Sequence, residues 1–128
     1  RLPRENLATT DDFSVPFSDV RFDFALAQSL FSHLPINHLR LCLAKLRPHM
    51  ADNGTLFATF FVAPDSLAFD QPFRQPPVGE IQTYGWKDPY HYWHQDIAFA
   101  VRDVAWELVT LEEWNHPRGQ QIAQFKAI

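Results

Sequence analysis

The sequence predicts an α/β domain whose sheet is mostly parallel and closes with an antiparallel pair, and three observations carry that prediction. Two near-continuous apolar runs, Phe22 to Ala27 and Thr55 to Ala63, have the character of strands covered on both faces. Between them Leu39, Cys42, Leu43 and Leu46 recur at i, i+3, i+4 and i+7, which is one face of an amphipathic helix. The last two β-like segments, Ala105 to Leu111 and Gln121 to Ile128, are joined by about ten helix-free residues, too few for a parallel crossover.

The elements follow in order. Asn6 to Thr10 reads weakly as the end of a strand, followed by a polar turn at Asp11-Asp12 and a loop through Pro16 and Asp19. The first apolar run is broken only by Asp23 and stops at the polar pair Gln28-Ser29, the position where open α/β sheets hold their ligands. Asn37 is a suitable helix cap and Pro48 marks the helix end. Asn53-Gly54 turns the chain into TLFATFFVA, the second strand. From Pro64 to Trp93 prolines alternate with aromatics without periodicity, and about 30 such residues in a compact domain are expected to be a lid or binding loop. Helical character returns at Gln95 to Arg102, with Ile97, Ala98 and Val101 on one side. The closing turn is Asn115-His116-Pro117-Arg118-Gly119.

Composition limits what such a domain can do. With 128 residues, 46% of them hydrophobic and 20% charged, the chain has a core for one domain. The net charge of -4 gives no basic excess, so neither nucleic acid nor an anionic membrane is an expected partner. Cys42 stands alone and lies on the apolar helix face, where it reads as buried packing. No run approaches the roughly 18 apolar residues of a spanning helix, and a cytoplasmic location is the expectation. The chain opens with Arg1, which leaves targeting unread.

Three segments in register carry a family resemblance. DDFSVPFSDVRFDFALAQSLFSHLP, LRLCLAKLRPHMADNGTLFATFF and WNHPRGQQIAQFK together resemble the acidic turn, "FD" strand, "HL" helix start, fifth strand and antiparallel seventh strand of class I S-adenosylmethionine-dependent methyltransferases. The resemblance runs from about Leu7 to Ile128, and it implies a Rossmann-like sheet, S-adenosyl-L-methionine as cofactor and a small-molecule methyl acceptor. The family's glycine-rich cofactor loop has no counterpart, because the four glycines, Gly54, Gly79, Gly85 and Gly119, are isolated. Residues 1–128 are therefore expected to be a single partial methyltransferase domain. It would run from about the third strand to the C-terminal strand, with its N-terminal strands missing and a lid-like insertion at 64–94. Alone, it is expected to bind the cofactor weakly or not at all.

The resemblance also assigns residues, each with a plainer reading beside it. Asp11 or Asp12 would accept a hydrogen bond from the adenine amino group, with the Phe13 backbone nearby; the plainer reading is an exposed turn. Ala27, Gln28 and Ser29 would lie beside the methionine portion, or Gln28 and Ser29 cap the following turn. His33 is the candidate catalytic base, since imidazole suits proton transfer, or a structural histidine at the helix start. Phe31, Tyr84, Trp86, Tyr90, Tyr92 and Trp93 are the substrate-binding candidates, the last five as an aromatic lid or as a satellite core beneath a long loop.

The three-residue spacing of His91 and His94 suits a metal on a helix, but no third ligand accompanies it and no metal is expected. Trp114, His116 and Arg118 read as structural. A different class of function stays open. The family's strand order puts its first strand beside Phe22 to Gln28, and without that neighbour the apolar edge would pair with another chain, making a non-catalytic assembly module or a homodimer.

Overall fold

The computed structural model describes residues 1–128, and its organising feature is a strand neighbouring three others. β1 (Phe22–Ala27) pairs in parallel with β2 (Met50–Val62), aligning Phe24 with Thr55 and Leu26 with Phe57. The connection is α1 (Ile36–Leu46), as parallel pairing requires. β6 (Trp106–Glu113) and β7 (Gln121–Ala127) form the expected antiparallel pair, and β7 inserts between β6 and β2, antiparallel to both. The resulting order is β1-β2-β7-β6, with the short β5 (His91–Tyr92) pairing in parallel beside the C-terminal end of β2.

The alternation along β2 decides where the core lies. Leu56, Ala58 and Phe60 point to the face covered by Leu39 and Leu43 of α1 and by Ile97 and Ala100 of α2 (His94–Ala100), joined by Ala123, Phe125 and Ala127 of β7. Phe31 stacks on Phe60 with ring centroids 5.5 Å apart, and Tyr92 and Phe125 meet Phe60 edge-on. Burying a side chain such as Phe60 contributes about 1.5–3 kcal/mol. Trp106 closes the far end, where its Nε1–H donates to the Leu43 carbonyl at 2.8 Å. Cys42 is half-buried on the same helix, and burial pushes its thiol up to about 11.

Several sequence expectations need correction. The apolar runs predict strands covered on both faces, yet the second sheet face is open along β1, where Phe24 and Leu26 are 71% and 63% exposed. Asn6 to Thr10 is no strand: Asn6 ends a single 3-10 turn at Arg4–Asn6, and 7–10 follow it exposed and without regular structure. Asn37 lies inside α1, and Pro35 takes the cap position with no side-chain hydrogen bond. The proline-rich segment holds regular structure of its own. β3 (Phe73–Arg74) and β4 (Gln82–Thr83) form an antiparallel hairpin. That hairpin docks against the β6–β7 turn at Gly119, whose φ of +82° and closeness to the Pro76 carbonyl leave no room for a Cβ. No helix is long and apolar enough to cross a membrane.

Candidate functional site

The end of β1 turns sharply because Ser29 adopts φ 55°, a left-handed conformation unusual for a residue with a side chain. The backbone there is held from two sides. The Ser29 N–H donates to Thr59 Oγ1 of β2 at 2.7 Å, and its hydroxyl meets Gln120 Oε1, just ahead of β7, at 3.1 Å. Ser32 Oγ donates back to the Ser29 carbonyl at 2.9 Å. Gln28, next in the same turn, is exposed and its amide makes no hydrogen bond within the chain.

A cavity of about 450 Å³ opens over this turn, lined among others by Ser29, Ser32, His33, Asp88, Arg118 and Gln120. His33 Nδ1 lies 2.9 Å from Asp88 Oδ1, so the neutral ring donates its Nδ1 proton to the carboxylate and keeps a lone pair on Nε2. In the neutral ring this contact leaves Nε2 as the free proton acceptor, on a side chain that is 62% exposed. His116 also lines it. Its Nδ1 accepts the N–H groups of Arg118 and Gln120 at 3.1 and 3.4 Å, and its ring stacks on Trp114 at 5.7 Å. The Arg118 guanidinium is exposed and makes no ion pair.

A second cavity of about 450 Å³ shares no lining residue with the first and takes Tyr90, Tyr92 and Trp93 as walls. Three residues of the expected aromatic lid therefore line a different cavity from Ser29 and His33. Tyr84 and Trp86, with centroids 5.3 Å apart and the Lys87 ammonium over the Tyr84 ring, line neither cavity. Phe31 is fully buried against Phe60, which takes it off any substrate surface.

Ala27 is buried in the core beneath the Ser29 turn. Asp11, Asp12 and Phe13 stay outside the Ser29 cavity. The fully exposed Asp12 carboxyl, hydrogen-bonded by Ser14 and by the Thr10 hydroxyl, is held down to about 2, while Phe13 packs edge-on against His38. His91 sits on β5 and His94 opens α2, so the two do not share a helix face. Sequence reasoning missed Thr59, Asp88 and Gln120, each brought to the site by long-range folding with no local motif to mark it.

This architecture, a parallel pair β1–β2 with the antiparallel last strand β7 inserted between β2 and β6, is found in known proteins. No family model matches the sequence, and no curated protein matches it. Among solved structures, the pyocyanin biosynthetic protein PhzM superposes with a TM-score of 0.63 at 12% identity, over 93% of this chain and 34% of that one. A SAM-dependent methyltransferase from Methanosarcina mazei gives 0.58 at 16% identity, covering 92% of this chain and 63% of its own. CalS10, an amino pentose methyltransferase from Micromonospora echinaspora solved with SAM bound, gives 0.62 at 12% identity, covering 93% and 63%. The chain has the class I S-adenosylmethionine-dependent methyltransferase fold. It spans about a third of PhzM and under two thirds of CalS10. Within this methyltransferase fold the Ser29 cavity lies at the C-terminal ends of two parallel strands, where open α/β sheets bind ligands.

Proposed function

We propose that these residues are the C-terminal part of a methyltransferase domain that uses S-adenosyl-L-methionine to methylate a small molecule. The observation that carries the reading is the Ser29 turn, tied to β2 and to the start of β7 beneath a cavity that holds the His33–Asp88 pair. The residues suit the methionine end of the cofactor: the free Gln28 amide and the polar Ser29 turn stand at the strand ends. The adenine contact that the resemblance gives to Asp11, Asp12 and Phe13 belongs to the same reading, at residues that do not line the Ser29 cavity.

When bound, the cofactor supplies an electrophilic methyl group. The chain's own part is to position an acceptor in the cavity and to take the proton that an O–H or N–H acceptor gives up, at His33 Nε2, while Asp88 keeps the ring oriented. A second reading, a non-catalytic assembly module that dimerises through β1, is favoured by the exposed Phe24 and Leu26.

Calorimetric titration of S-adenosylhomocysteine into this chain and into the longest native polypeptide that contains it separates the two. Binding to either, weakened by Gln28→Ala, supports methyl transfer. Binding to neither overturns it and leaves the module.

A further inference from the structure

The second cavity carries a different chemistry from the first. Its walls are the rings of Phe69, Tyr90, Tyr92 and Trp93, and its charged groups are Asp65 and Asp96. No lysine or arginine lines it, and the one histidine there is held neutral by burial. Burial raises the Tyr92 hydroxyl, with Tyr90 and Asp96 adding to it, and the Asp96 carboxylate also accepts the Trp93 N–H at 3.2 Å. That hydroxyl is already committed, donating to the Leu34 carbonyl.

His91 supplies the second observation. It is 2% exposed, it contributes to the cavity wall, and its Nε2 has no partner in the protein. The hydrogen bonds on its other side fix the tautomer. Thr83 Oγ1 receives the Gln75 Nε2–H at 2.9 Å and has a single proton, which reaches the Phe73 carbonyl at 3.3 Å. His91 Nδ1, also 2.9 Å from Thr83 Oγ1, must then be a donor to keep all three contacts. Its Nε2 is left with a bare lone pair, a buried acceptor that lacks a donor.

Aromatic rings attract cations through their faces and carboxylates add charge, and the His91 Nε2 acceptor, itself with under 1 Å² of accessible surface, would gain a donor where the wall shifts to admit an N–H. Asp65, His91 and Asp96 do not gather as a metal-binding group, so the fitting cation is organic. We propose that this cavity is a binding site for a primary or secondary ammonium ion on a small organic molecule, distinct from the Ser29–His33 cavity. At about 450 Å³ it is within the range of small-molecule sites. The proposal does not depend on the methyl-transfer reading.

The test is a titration with phenethylammonium, followed by NMR at the Trp93 indole and the His91 imidazole, with 3-phenylpropanoate as the anion of matching shape. Saturable shifts with the ammonium only, weakened several-fold by Asp65→Asn and by His91→Asn, are expected. Asp65 is exposed and makes no hydrogen bond within the chain, so its substitution is expected to leave the fold intact, which guards against a trivial loss. No saturable shift, an equal response to both probes, indifference to Asp65→Asn, or a free-state His91 spectrum with the proton on Nε2 would each overturn the proposal.

Discussion

His33 Nδ1 and Asp88 Oδ1 meet at 2.9 Å although 55 residues of chain separate them. The contact forms because the segment before β5 folds back along the helix-start loop, where the Tyr90 N–H donates to the Ser32 carbonyl at 2.7 Å. In the intact protein, His33→Gln is expected to lower kcat about 100-fold if the ring takes the acceptor's proton. Asp88→Asn should lower kcat by less and change KM less than kcat, because the amide keeps the side chain's shape in the cavity wall and disturbs mainly the ring's tautomer. Steady-state kinetics of both variants check this, and unchanged kcat in His33→Gln removes the base.

The fully buried stack of Phe31 on Phe60 makes a sharp stability prediction. Phe31→Ala should cost about 3–5 kcal/mol through lost burial and a cavity between the helix-start loop and β2. The urea midpoint reports it. A loss far below that range would mean that the loop collapses into the space.

How much of this was legible in the sequence depends on the range of the cause. The strands, the helix face of Leu39 and Leu43 and the antiparallel ending rest on local periodicity and on a linker too short to cross over, and these were readable. The resemblance gives Phe31 to the substrate, and the fold buries it fully instead. Apolar pattern alone does not say that a side chain stacks on a ring 29 residues further along, at Phe60. The β3–β4 hairpin was invisible, since its strands are two residues long and show no alternation. That Tyr90, Tyr92 and Trp93 line the second cavity and none of the five lines the first depends on where β5 pairs with β2, a long-range event that composition does not record.

Gly119 is expected to tolerate no side chain. Its φ of +82° already disfavours alanine, and the Pro76 carbonyl occupies the space a Cβ needs. Gly119→Ala should therefore loosen the β3–β4 hairpin and not the main sheet. Limited proteolysis checks it: faster cleavage within 64–83 is expected with the β2 and β7 amides still protected from exchange, and loss of protection throughout would mean that the turn nucleates the sheet.

Phe24 and Leu26 project from β1 onto the open sheet face at 71% and 63% exposure, beside the partly exposed Phe57. A contiguous apolar patch of that kind drives association when nothing covers it. The 128-residue chain is expected to self-associate with rising concentration, and Phe24→Lys with Leu26→Glu should return it to monomer in sedimentation velocity. A wild-type chain that stays monomeric would show that the patch is too small to hold two copies together.

The buried imidazole of His91 sets the direction of a pH dependence. Burial lowers its pKa below the ordinary 6.5, outweighing the hydrogen bond at Thr83 that favours the charged form. In the unfolded chain the ring takes up a proton near 6.5, whereas in the folded chain it resists until lower pH. The unfolded state therefore binds more protons as the solution is acidified through that value. Its contribution to stability is fully present above 6.5 and is lost as pH falls toward the folded-state pKa. The groups packed around it are Thr83, Gln75 and Trp93, none of which titrates in this window, and the cavity carboxylates Asp65 and Asp96. Both carboxylates are also present in His91→Asn, so the difference in thermal midpoint between wild type and this variant isolates the ring. The difference should narrow from pH 7 to about pH 5, the span in which an ordinary histidine becomes charged. A difference independent of pH would mean that the ring is protonated as readily in the fold as in the unfolded chain. The bare Nε2 lone pair would then lose its place as the acceptor in the second cavity.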